Sequence, residues 1–169
     1  MKPARLSRQL RLGEGKFLAR RRAVVGLSLL SAGAMAVIGL YQVGILRHLP
    51  EPPLPGLDAD RVDASAEAYS KFATPDAFLG LGNYAATAVL AAMGGRDRAR
   101  RTPLVPLAMS AKAAFDAGQA ARLFYQQWHR HRAFCSWCLL AAGASLAALP
   151  LTFPEAGRAW RELRGAVRQ

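Results

Sequence analysis

Three stretches of the chain, residues 23–46, 77–95 and 133–154, run without a charged side chain. Each reaches the roughly 20 residues that a helix needs to cross a hydrocarbon core of about 30 Å. A fourth stretch, 103–128, is long enough but carries Lys112, Asp116 and Arg122. A charge at the centre of a membrane helix costs about 2.5–3.5 kcal/mol on insertion scales unless it is paired or faces the bundle interior. Lys112 and Asp116 stand at i and i+4 and can pair, chiefly as a structural link rather than a proton path. Arg122 lies near the Trp128 end and can snorkel toward head groups. The pattern predicts an all-α fold, an integral membrane bundle of four helices.

The polar segments between these stretches set the topology. The formal charge is +12, a value that could indicate nucleic acid, but the basic residues are distributed as in a membrane protein. With four spans, 16 of the 23 Lys and Arg, from Lys2 to Arg22, Arg96 to Arg101 and Arg158 to Arg168, fall on one side. This is the positive-inside asymmetry of a chain with both termini in the cytoplasm. The chain divides into a basic cytoplasmic arm (1–22), a membrane domain (23–154) and a basic cytoplasmic tail (155–169). The arm sets topology and can rest on anionic lipid. Ala32-Gly33-Ala34 has the form of a signal cleavage site, but the apolar run continues well past the 7–15 residues of a signal core. The longest connection, about residues 47–74, opens with Pro50, Pro52, Pro53 and Pro55, which favour an extended path. Its part from 60 to 72 lacks Gly and Pro and can form a short helix capped by Asp58 or Asp60. Small residues crowd the second and fourth spans, where they let helix backbones approach.

The candidate chemistry lies at the start of the fourth span, in Phe134-Cys135-Ser136-Trp137-Cys138-Leu139. These are the only two cysteines. Thiols three residues apart on a helix share a face, so they can close a disulfide or ligate one ion. The topology puts Cys135 near the outer face of the membrane, where disulfides persist. His129 and His131 precede the pair, and His129, His131, Cys135 and Cys138 together form a donor set suited to Zn or Cu. A c-type haem is disfavoured because Leu139 follows the second cysteine.

One further segment makes the pattern more specific. Phe72-Ala73-Thr74-Pro75-Asp76-Ala77-Phe78-Leu79-Gly80-Leu81-Gly82-Asn83-Tyr84 is similar to a Gly-x-Pro-x4-Gly-x3-Tyr sequence at the start of the second helix of the vitamin K epoxide reductase family, with Ala73 in place of the first glycine. With the aromatic Cys-x-x-Cys-Leu and the order of a long outer loop and short turns, the chain resembles that family over roughly residues 23–154, in its compact form without a fused thioredoxin-like domain. It departs in one respect. Family members carry a second cysteine pair in the first outer loop, and the stretch 57–65 has none.

The resemblance implies a thiol–quinone oxidoreductase of the inner (cytoplasmic) membrane. Its substrates would be a membrane quinone (menaquinone, ubiquinone or a relative) and the thiols of a thioredoxin-like extracytoplasmic partner, with lipid around it and no nucleic acid. It makes Cys135 and Cys138 the catalytic pair, Cys138 deeper beside the quinone and Cys135 reached by the partner. Asn83 and Tyr84 would bind the quinone, with Phe78, Phe134 and Trp137 as walls. Ser65 stands about one residue from the place of a loop Ser or Thr that the family uses near the quinone. Two other classes remain open on the sequence, a His/Cys metal-binding membrane protein and a non-catalytic scaffold or sensor derived from the family.

Overall fold

The computed structural model describes residues 3–167, and Lys2 and Arg168 of the basic count lie outside them. The described residues are helical throughout, without a β-strand: α1 (Pro3–Leu12), α2 (Lys16–Gln42), α3 (Ala59–Asp63), α4 (Asp76–Ala92), α5 (Arg98–Arg101), α6 (Leu104–Gln126) and α7 (Ser136–Val167). A 3₁₀ turn, Ala66–Tyr69, follows α3, and a π turn, Gln127–His131, follows α6.

Helix ends follow local chemistry. α2 starts inside the basic arm and stops at Gln42, where Gly44 takes a left-handed φ of 80° and its N–H bonds the Tyr41 carbonyl at 2.9 Å. This is how glycine closes a helix C-terminus. Asp58 caps α3 by accepting from the Arg61 N–H at 3.0 Å. Pro75 precedes α4, and Gly94 at φ 81° follows it. α7 runs through Pro150 and Pro154 without ending.

Four long helices pack side by side, α2 against α4 and α7, and α7 also against α6, while α4 and α6 touch more lightly. Of the small residues in the second and fourth spans, Gly80 is the most tightly covered, by the Met35 side chain. A Cβ there would lie 2.8 Å from the Met35 sulfur, whereas Gly82 and Gly143 face open space. Arg21 donates to the carbonyls of Ala91, Ala92, Met93, Gly94 and Gly95, at 2.8–3.1 Å. It thereby satisfies the orphan acceptors at the end of α4.

Two helices, Phe17–Gln42 and Ser136–Ala166, are long and apolar enough to cross a membrane by length and composition. Large apolar side chains nevertheless face outward on all four long helices, among them Leu29, Leu40, Val89, Leu104, Tyr125, Leu146 and Phe153.

Candidate functional site

The site begins at the first turn of α7. Cys135 precedes the helix, its carbonyl accepts from the Leu139 N–H at 2.9 Å, and its sulfur accepts from the Cys138 N–H at 3.2 Å. The cysteine side chain thus does the work of an N-cap. The π turn holds it from below, because buried Gln127 accepts from the Cys135 N–H at 3.0 Å. Both cysteines are free thiols.

The proline-rich segment forms a strap across this helix start. Leu57 pairs with Phe134 in a short parallel bridge, through Asp58 N–H to Phe134 O (2.9 Å) and Phe134 N–H to Gly56 O (2.8 Å). The Glu51 carboxylate accepts from Ala59 N–H (2.5 Å) and from Ser136 N–H (3.4 Å), while the Trp137 indole donates to Pro50 O (2.8 Å). Under this cover Cys135 and Ala59 are both 0% exposed and share an apolar cluster with Ile38, Val62 and Ala77. Cys135, the cysteine expected to be reached by a partner thiol, is sealed beneath the strap.

Cys138 faces the other way, into a cavity of about 450 Å³. Ser65, Asn83 and Tyr84 line the same cavity, with Met35, Ile38, Gly80, Leu139 and the α6 residues Phe115 and Leu123 supplying apolar wall. Phe78 and Trp137 are not among its lining residues. Phe78 packs against Gly39, and Trp137 lies on the strap. Phe134 stacks on Phe124, with ring centroids 4.9 Å apart. Asn83 is oriented by α6, since its amide donates to Asp116 at 2.8 Å. Asp116 also accepts from Thr87 (2.7 Å) and pairs with Lys112. Ser145 donates to the Tyr84 oxygen at 3.4 Å.

The sequence reading missed Asp63. It ends α3, is 5% exposed and accepts from the Cys138 thiol, Sγ to Oδ1 3.6 Å, while its buried Oδ2 has no hydrogen-bond partner. Gln42 anchors this corner by donating to the Asp63 carbonyl (3.2 Å) and to the Asp76 carboxylate (2.8 Å). Burial pushes the Asp63 carboxyl up to about 6; the two cysteine thiols close to it pull it down, and the charges of Asp76 and Glu51 push it further up. One local signal was available. Ala59, Val62 and Asp63 fall at i, i+3 and i+4, so Asp63 shares the apolar face of its short helix.

Among the described residues, the side chains that bring three metal-ligand atoms within 4.8 Å of one another are Asp63, Cys135 and Cys138. The histidines of the expected donor set do not join them. His129 stacks on Tyr125 at 4.0 Å, and His131 lies 3.8 Å from Glu67. The π turn and Arg132, at φ 51°, direct that loop toward the 3₁₀ turn instead.

No curated protein matches the chain. Compared with protein families, residues 22–153 match the vitamin K epoxide reductase family.

Proposed function

This chain belongs to the vitamin K epoxide reductase family, and from that premise we propose that it is a membrane thiol–disulfide oxidoreductase passing electrons from a partner's thiols to a quinone through Cys135 and Cys138. Members of the family are membrane-associated oxidoreductases that generally use a quinone as acceptor and act with thioredoxin-like partners. The observation that carries the reading is the opening of Cys138 onto a cavity of about 450 Å³ whose wall near it includes Met35, Ile38 and Leu139. Small-molecule sites commonly measure 300–1,000 Å³, with apolar walls and a few polar groups. The donor chemistry also fits a quinone, because the Tyr84 hydroxyl and the second N–H of the Asn83 amide can meet carbonyl oxygens, with Ser65 on the loop side.

In this reading residues 23–154 are a four-helix domain of the inner membrane, with the arm 1–22 and the tail 155–169 cytoplasmic and the CxxC near the outer face. The outward-facing apolar side chains on all four helices support it, since a water-soluble protein rarely exposes so much apolar surface.

A quinone bound there supplies an acceptor for two electrons and two protons. The chain's own part is to hold the Cys138 sulfur at the cavity wall and Cys135 within reach behind it. Oxidation joins the two sulfurs and releases two electrons and two protons. The partner's dithiol then reduces that disulfide and becomes a disulfide itself. With no loop cysteines to relay electrons, this exchange is direct and requires the strap over Cys135 to lift.

The test is quinol formation by the purified protein with a dithiol donor and a short-chain quinone. Cys138→Ala and Cys135→Ala each abolish turnover. The proposal fails if both variants reduce quinone as fast as the parent.

A further inference from the structure

We propose that Asp63 is the proton acceptor of the pair, taking the proton of the Cys138 thiol as that sulfur becomes a nucleophile. This rests on the redox reading above and adds a residue to it.

Geometry carries the assignment. Asp63 Oδ1 lies 3.6 Å from the Cys138 sulfur, and both side chains line the same cavity. The neighbouring carboxylates are occupied. Glu51 accepts from two backbone N–H groups, and Asp76 accepts from the Gln42 amide. The buried Asp63 Oδ2 accepts from no backbone N–H and no N–H or O–H side chain, which leaves the two thiols as the nearest donors to this carboxylate. A buried polar atom left unsatisfied costs about 1–3 kcal/mol, so a carboxylate kept in this state beside a reacting sulfur suits proton transfer better than scaffolding. Asp63 also titrates near 6, raised by burial, so it is mostly ionised at neutral pH and still a competent base.

The step balances. The Cys138 S–H bond breaks, an O–H bond forms on Asp63, and the net charge of the cavity wall is unchanged. When the S–S bond to Cys135 closes, two electrons leave for the quinone. The proton held by Asp63 and the one from Cys135 make up the two that the reduction consumes.

Several other charged or titratable groups face this corner. Cys135 approaches from just before α7, Tyr41 from α2, Asp76 from the start of α4 and Glu51 from the strap. Glu67, Lys71, Arg130 and His131 line the outer part of the cavity.

The experiment measures the rate of Cys138 alkylation by iodoacetamide between pH 5 and 9, on reduced, quinone-free, full-length protein, with each cysteine resolved by tandem mass spectrometry. The parent rate rises in two steps, the lower near pH 6. Asp63→Asn removes the lower step and slows alkylation at pH 7 by about tenfold or more, whereas Asp63→Glu keeps the step. An Asn variant that reacts as fast as the parent or faster at pH 7 overturns the proposal, because a carboxylate that merely repels the thiolate gives that result. If the Asn variant does not fold, the parent decides, and a single step in its profile overturns the proposal equally. Because no quinone is present, failure here is distinct from failure of quinol formation, which would sink the redox reading itself.

Discussion

Arg98 and Glu155 form a bidentate pair buried at the end of the helix packing opposite the cysteines, with Nε–Oε1 2.9 Å, Nη2–Oε2 2.8 Å and exposures of 1% and 2%. The same guanidinium donates to the carbonyls of Leu90 and Met93, both at 2.7 Å, and so closes the C-terminus of α4. Removing one partner leaves an uncompensated charge. Glu155→Ala is therefore expected to cost about 3–5 kcal/mol of stability, read by denaturant unfolding in detergent. The exposed Arg158–Glu162 pair is the control, and Glu162→Ala should cost under about 1 kcal/mol.

The strap over Cys135 gives a second expectation. Glu51 bridges Ala59 and Ser136, so Glu51→Ala releases both N–H groups and loosens the cover. Alkylation of Cys135 should accelerate by about tenfold, the equivalent of about 1.4 kcal/mol in local opening. Unchanged protection would show that Trp137 and the Leu57–Phe134 bridge hold the strap alone.

Asp63 makes stability depend on pH with a defined sign. Its folded-state value, about 6, lies above the ordinary carboxylate value of 3.8 because burial disfavours the charge. The folded state thus binds the extra proton between these values. That stabilisation is fully present below about pH 4 and is lost as pH rises through about 6, a change on the order of 3 kcal/mol. Unfolding midpoints of the reduced protein should fall across this window, and Asp63→Asn should flatten the slope.

Ala73 has φ 50°, in the left-handed region that favours glycine, and it stands where the family segment carries glycine. A non-glycine residue in this conformation costs about 1–2 kcal/mol. Ala73→Gly should accordingly stabilise the protein by up to about 1 kcal/mol in the same unfolding assay. A loss of stability would mean that the alanine methyl contributes packing that offsets the backbone strain.

Much of the helix plan was legible because it is a matter of local composition. The charge-free runs mark α2, α4 and α7, and Asp58 caps a short loop helix as its position suggests. Boundaries were less legible. α2 starts at Lys16, inside the basic arm, because Lys and Arg are good helix formers and nothing interrupts the turn after Gly15. α7 passes Pro150 and Pro154 because the neighbouring packing outweighs the lost N–H groups.

The site divides along the same line. Thiols three residues apart come close wherever a helix turn forms, so the proximity of Cys135 and Cys138 needs no knowledge of the rest of the chain. The amino-acid order by itself therefore determined the helical class, the redox-capable pair and its place at a helix start, since each depends on interactions within a few residues. Only the tertiary structure decided that Cys135 is sealed beneath the strap, that Phe78 and Trp137 lie off the cavity, and that Asp63 reaches a sulfur 75 residues away. Those facts depend on how the loop, the strap and four helices exclude water together, and no local pattern encodes that.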